Sequence, residues 1–254
     1  VPIRSDDAGL IPRKSGDQWR GRIPFSKMPA IKNPREGFII TANNKVWQGD
    51  NYYISELWEP PYRAIRIEQQ IRELEKVDRL AMQKIQMDDK NLLAEKILPV
   101  LLADIPLQDD SLFALDEIRV LLENWDYRMA SESIAAGIFE VWMHTLLRNI
   151  FHDEMGDAPF KLFVNLPNFY LRIFDQVFVR GRSSWFDDIT TEKVENRSQI
   201  IRRSFEQTLE ILINLKGTSL QNWRWGEIHQ LKLKHVLGQV ALTNSVLNRG
   251  PYPV

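Results

Sequence analysis

No cysteine occurs anywhere in the 254 residues. Disulfides, thiolate nucleophiles and cysteine-based zinc sites are therefore excluded. An excess of charge is also missing. Lys and Arg total 33 against 34 Asp and Glu, a formal net charge of −1. That balance provides no field to draw in nucleic acid or an anionic membrane. No apolar run approaches the roughly 18–20 residues that span a bilayer, and no signal-peptide pattern is visible. No two glycines stand two apart, so no dinucleotide or phosphate-binding fingerprint exists. The Gly-x-Ser-x-Gly elbow, Ser-x-x-Lys, His-Glu-x-x-His and EF-hand patterns are absent as well.

What remains is an ordinary globular composition, 44% hydrophobic and 26% charged, in a length that allows one large domain or two smaller ones. Residues 1–53 differ from the rest. Pro2, Pro12, Pro24, Pro29 and Pro34 punctuate them together with Gly9, Gly16, Gly21 and Gly37. Such density breaks helices, so this part reads as a small, loop-rich β segment. Residues 54–254 read as an α-helical domain. The expected fold class is mainly α.

Helical periodicity carries the second reading. Ile67, Ile71 and Leu74 follow Pro61, which suits a first helical turn. Leu92, Leu93, Ile97, Val100 and Leu101 share one face, with Asp88 or Asp89 as the expected cap and Pro99 as an expected kink or break. A further helix is expected from about Leu112 to Asn124. The clearest starts near Ser131: Ile134, Ile138, Val141, Trp142, Thr145, Leu146 and Ile150 make a face too wide for a solvent-exposed helix. Another opens at Pro167. A long one, capped by Thr190 or Thr191, runs through Phe205 and Leu212 and stops at Gly217.

Residues alone offer little chemistry. His144 and His152 lie eight apart on one helix, near Asp153 and Glu154, but lack the short spacing of a metal pair. His229, after Trp225-Gly226, reads as a structural histidine supporting an aromatic corner. Most of the eight tryptophans read as core. The pairs Asp88/Asp89, Asp109/Asp110 and Asp187/Asp188 read as caps.

A specific order of motifs changes that reading. Trp19-x-Gly21-x-Ile23-Pro24 is followed by Asn33-Pro34-x-x-Gly37-Phe38-Ile39 and Asn43-Asn44-Lys45. Pro61-Tyr62-Arg63-Ala64-x-Arg66-Ile67 comes next, then Trp125-Asp126, Ser204-Phe205-Glu206, Trp225-Gly226-x-x-His229 and Asn248-Arg249-Gly250-Pro251. Together these resemble the penicillin acylase (penicillin amidase) family of N-terminal nucleophile hydrolases. The resemblance implies a helical insertion with its β flank, taken from the interior of the β-chain. In that family a Ser at the β-chain N-terminus attacks an amide carbonyl, and its own α-amino group serves as base.

By resemblance Asn43 is the oxyanion-stabilising residue and Arg63 the active-site arginine that orients it. Position 1 is Val rather than Ser, Thr or Cys, so the resemblance implies that the nucleophile lies outside this chain and that the chain alone is inactive. No cofactor is required. Tyr52–Glu56 resembles a segment that contributes one ligand to a structural calcium in some members. Glu56 stands where Asp is usual, and the other ligands would lie outside this chain. The implied partners are the remainder of the acylase α- and β-chains and a small-molecule amide. A core-facing surface along residues 19–47, if exposed, would favour a homodimer. The implied location is periplasmic or exported. The rival reading is a stand-alone helical binding or scaffold domain without catalysis.

Overall fold

A computed structural model of the protein describes residues 21–46, 54–55, 58–110, 112–239 and 241–254. Helices dominate them: α1 (Tyr62–Arg72), α2 (Arg79–Gln86), α3 (Leu92–Ala103), α4 (Leu115–Glu123), α5 (Ile134–Met155), α6 (Asp157–Val164), α7 (Pro167–Arg180), α8 (Arg197–Lys216), α9 (Trp225–Ile228) and α10 (Ala241–Leu247). Strands β1 (Gln230–Leu233) and β2 (Arg249–Pro253) pair antiparallel, with Leu231 opposite Tyr252 and a register shift beyond it. The mainly α class expected from the sequence is the class observed. Residues 21–46, read as part of a β segment, form no strand; Asn44 is tied to Glu59 by a single parallel bridge. Pro24, Pro29 and Pro34 lack the N–H that a ladder requires.

Two compact units divide the chain. One takes in Val1–Asp78 and Leu162–Gln176, the other Arg79–Lys161 and Val177–Val254. In the larger unit, α5 is the central element. Its cap is Ser133, whose Oγ accepts the Ala136 N–H at 3.1 Å. Apolar side chains surround its circumference, and Ala136, Ile138, Phe139, Trp142, Leu146 and Ile150 are fully buried. Trp142 packs on Phe205 of α8 with ring centroids 4.8 Å apart, and Phe139 packs on Trp125 at 5.4 Å. Each such side chain contributes about 1.5–3 kcal/mol through burial. Polar matching fixes the same pair of helices. Asn149 on α5 donates both Nδ2 hydrogens to α8, to Ser204 Oγ at 2.9 Å and Gln207 Oε1 at 2.8 Å.

Several helix boundaries differ from expectation. Asn91, not Asp88 or Asp89, caps α3: its Oδ1 accepts the Ala94 N–H at 3.0 Å. Asp89 instead pairs with Arg128 at 2.6 Å. Pro99 does not interrupt α3, which continues through it to Ala103. Its ring sits on the exposed face, where the Glu95 carbonyl it leaves unpaired can be solvated. The long helix α8 begins at Arg197, not near Thr190. Asn196 and Gln199 form a reciprocal capping box at 3.2 and 3.0 Å, which satisfies two donors at once. Thr190 and Thr191 belong to the preceding turn, bonded to Asp188 and Glu195. Gly217 ends α8 with φ 78°, a conformation that glycine adopts without steric cost.

In the smaller unit α1 follows Pro61, buries Ala64 and leaves Arg63 at the surface. Tyr62 Oη donates to Asp175 Oδ1 of α7 at 3.0 Å, which fixes the first turn of α1. Phe163 meets Phe169 and Tyr170 edge-on, both at 6.1 Å. Among the described residues no helix is long and apolar enough to cross a membrane.

Candidate functional site

The chain between Gly37 and Lys45 forms no regular element and bends at Ala42 and Asn43. Ala42 is buried. Asn43 follows with φ 61°, in the left-handed region that Asn tolerates better than most side chains. Asn44 then makes the bridge to Glu59, and its Oδ1 accepts the Ala42 N–H at 3.0 Å. An Asn-Asn pair commonly ends a strand in a turn, and either residue can occupy it. The structure gives the turn to Asn43 itself, and its side chain projects from an exposed bend.

Arg63 comes to this bend from the first turn of α1. Its Nη2 lies 2.6 Å from Asn43 Oδ1, 2.6 Å from Glu59 Oε2 and 3.1 Å from the Ala42 carbonyl oxygen. The bend is also held from the main chain, because the Glu59 N–H donates to the Asn43 carbonyl at 2.9 Å. Asn43 and Arg63, twenty residues apart in sequence, are thus brought into direct contact.

The chemistry of that contact is directional. A guanidinium can only donate, so the Asn43 atom facing it is the amide oxygen. The amide nitrogen consequently points away, and no acceptor for it occurs among the described residues. The charge on the guanidinium donor makes a short bond of this kind stronger than one between neutral partners. Nη1 and Nε of Arg63 are likewise without partners among the described residues, and the side chain is 59% exposed. The arrangement therefore presents an oriented amide N–H beside a partly unused cation.

Other candidates do not join this site. Glu56, the carboxylate implied for calcium, lies outside the described residues. His152 Nε2 is 2.7 Å from Asp157 Oδ1, and its ring meets Phe160 edge-on. That bond to His152 holds the Asp157 carboxyl below the usual carboxylate range. No group of three or more His, Cys, Asp or Glu side chains suited to a metal occurs among the described residues. His229 stacks flat on Trp225, centroids 4.6 Å apart, as expected of a structural histidine. Trp125, Trp142 and Trp223 are core residues. Glu59 is the residue that sequence reasoning missed. Its signal was a Glu four positions before the Arg of the Pro-Tyr-Arg motif, a spacing that favours ion pairing.

The penicillin amidase sequence profile matches residues 1–254. The chain belongs to the penicillin amidase family. Among relatives, an acyl-homoserine lactone acylase QuiP from Pseudomonas aeruginosa is 28% identical over 99% of this chain and 33% of its own length. A QuiP from Pseudomonas putida is 27% identical over 98% of this chain and 33% of its own length. Penicillin acylase 2 proenzyme from Pseudomonas sp. strain SE83 is 26% identical over 93% of this chain and 30% of its own length. The chain thus spans about a third of the length of these curated relatives. The fold is similar to that of a thermostable penicillin G acylase from Alcaligenes faecalis, with a TM-score of 0.65 and 14% identity over 88% of this chain and 45% of that one.

Proposed function

We propose that this chain is a segment of an amide-hydrolysing acylase and supplies the group that stabilises the oxyanion. The nucleophile, an N-terminal Ser, lies outside the segment. The observation that carries the proposal is the 2.6 Å bond from Arg63 to the Asn43 side-chain oxygen, in a chain whose family membership extends from end to end. In the reaction, the Ser hydroxyl attacks the amide carbonyl and its α-amino group takes the proton. The carbonyl oxygen acquires negative charge, and the outward Asn43 N–H donates to it. As the intermediate collapses, the α-amino group passes that proton to the leaving nitrogen, the C–N bond breaks and the amine departs, leaving an acyl-enzyme that water hydrolyses to the free acid. A preorganised donor of this type contributes about 2.7–4 kcal/mol to lowering the barrier. On its own the segment lacks the nucleophile and is inactive.

The substrate class is an N-acylated amine. An N-acyl homoserine lactone is the first candidate, because acyl-homoserine lactone acylases recur among the relatives; a penicillin side chain is the second. No cofactor enters the chemistry, and a calcium ion held partly by Glu56 would be structural. The remaining acylase chains are the natural cover for the exposed apolar side chains of residues 21–46, where Phe25 is 94% and Ile31 63% accessible. Export to the periplasm follows from the family resemblance and is tested by fractionating cells that express the complete gene.

Expression of the complete gene tests the function. The expected result is a Ser-headed chain after self-cleavage, with release of homoserine lactone or of the β-lactam nucleus from acylated substrates. A gene without such a Ser, or a processed protein that hydrolyses neither class, would support a helical binding module instead.

A further inference from the structure

We infer that Glu59 is a positioning residue for the proposed hydrolysis, fixing Arg63 so that the Asn43 amide can only present its N–H outward. The inference rests on the proposed function. It comes from how one nitrogen distributes its hydrogens. Arg63 Nη2 carries two, both in the guanidinium plane and diverging at a fixed angle. Two acceptors sit at 2.6 Å, Glu59 Oε2 and Asn43 Oδ1. When the carboxylate takes one hydrogen, the rigid fork aims the other at Asn43. The Ala42 carbonyl, at 3.1 Å, is the weaker third acceptor.

The same residue acts on Asn43 a second time. The Glu59 N–H holds the Asn43 carbonyl at 2.9 Å, and the bridge to Asn44 keeps the two segments in register. Three links therefore close a ring: main chain to main chain between residues 43 and 59, carboxylate to guanidinium between 59 and 63, and guanidinium to amide between 63 and 43. Opening it at the carboxylate frees the long Arg63 side chain and, with it, the rotation of the Asn43 amide. An ion pair as exposed as this one adds little to fold stability. Its consequence is geometric, and the reacting oxyanion is where that geometry registers.

Substitution separates the two actions, because Glu59→Ala removes the carboxylate and keeps the backbone bond. In the complete, processed acylase, kcat of the Glu59→Ala enzyme should fall about tenfold or more while KM stays within about threefold, the signature of an interaction made in the transition state. Glu59→Gln keeps an acceptor oxygen and should retain more activity than Glu59→Ala. In an Asn43→Ala background, Glu59→Ala should cost less than about twofold further, since residues acting through one another are not additive. Three results would overturn the inference. They are an unchanged kcat in Glu59→Ala while Asn43→Ala is severely impaired, a full multiplicative loss in the double variant, or no difference between the Gln and Ala variants. An Asn43→Ala enzyme with normal kcat would remove the underlying function together with the inference. Thermal melts of Glu59→Gln and Glu59→Ala, expected to match the parent, separate misfolding from mispositioning.

Discussion

The Arg63 guanidinium reaches across twenty residues of sequence to hold the side-chain oxygen of Asn43 at 2.6 Å. Because arginine cannot accept, this one bond decides which end of the amide faces outward. It joins a left-handed turn at Asn43 to the first turn of α1.

Arg63→Lys tests whether the fork or only the charge matters. A lysine ammonium is a flexible point charge and cannot serve Asn43 and Glu59 with fixed mutual geometry. In the complete acylase, kcat is expected to fall about tenfold or more with the charge retained. A lysine enzyme at parental kcat would show that orientation of the amide does not depend on the guanidinium.

Burial pushes the Glu140 carboxyl up to about 7, while its Oε1 accepts from Asn91 Nδ2 at 3.3 Å. The folded state holds a proton that the unfolded chain releases near 4.5. The stability tied to that proton is therefore complete below the unfolded value and is lost as pH rises through about 7. Glu140→Gln, neutral at every pH, should match the parent near pH 4 and exceed it near pH 8 by on the order of 3 kcal/mol. Urea unfolding of both proteins at the two pH values reads this difference. Glu154, also raised to about 7, titrates in the same window, so the difference between variant and parent is the informative quantity. An offset independent of pH would contradict the assignment.

Gly137 lies on the face of α5 that meets the turn at Trp223. A Cβ there would collide with the Trp223 carbonyl and crowd the Ile228 side chain. Backbone cannot yield as a flexible side chain would. Gly137→Ala should therefore destabilise the protein by about 1–3 kcal/mol, despite the better helix propensity of alanine. Calorimetry should register a midpoint lower by roughly 2–10 °C. An unchanged midpoint would mean that the helix and the turn separate freely.

Much of this architecture was legible because apolar periodicity records burial directly. The face of Ile134, Ile138, Trp142 and Leu146 predicted the central helix; the last three are fully buried and Ile134, in the first turn, is half-buried. Pro167 and Gly217 marked a helix start and a helix end where backbone chemistry demands them. Caps were harder, since residues 187–196 hold several side chains able to cap. The decisive pattern was Asn196 followed three positions later by Gln199, because only that spacing lets both side chains reach back to the main chain. α2 escaped notice because it is short and carries no continuous buried face: Leu80 is 60% exposed and Ile85 only half-buried. The strand Gln230–Leu233 did carry a period-two alternation, which four residues make easy to miss.

The site divides along the same line. No periodicity connects residue 43 to residue 63, and the pairing was drawn from family resemblance. Glu59 shows the limit more sharply. Its main-chain partner is sixteen residues away and its side-chain partner four, and only the folded chain displays both roles together.

In the proposed reaction the Asn43 amide, held by Arg63, stabilises the oxyanion. Steady-state kinetics of Asn43→Ala in the complete, processed acylase test it most directly. The expected kcat is lower by about 10²–10³ with little change in KM. A kcat within about twofold of the parent, in a correctly processed enzyme, would contradict it.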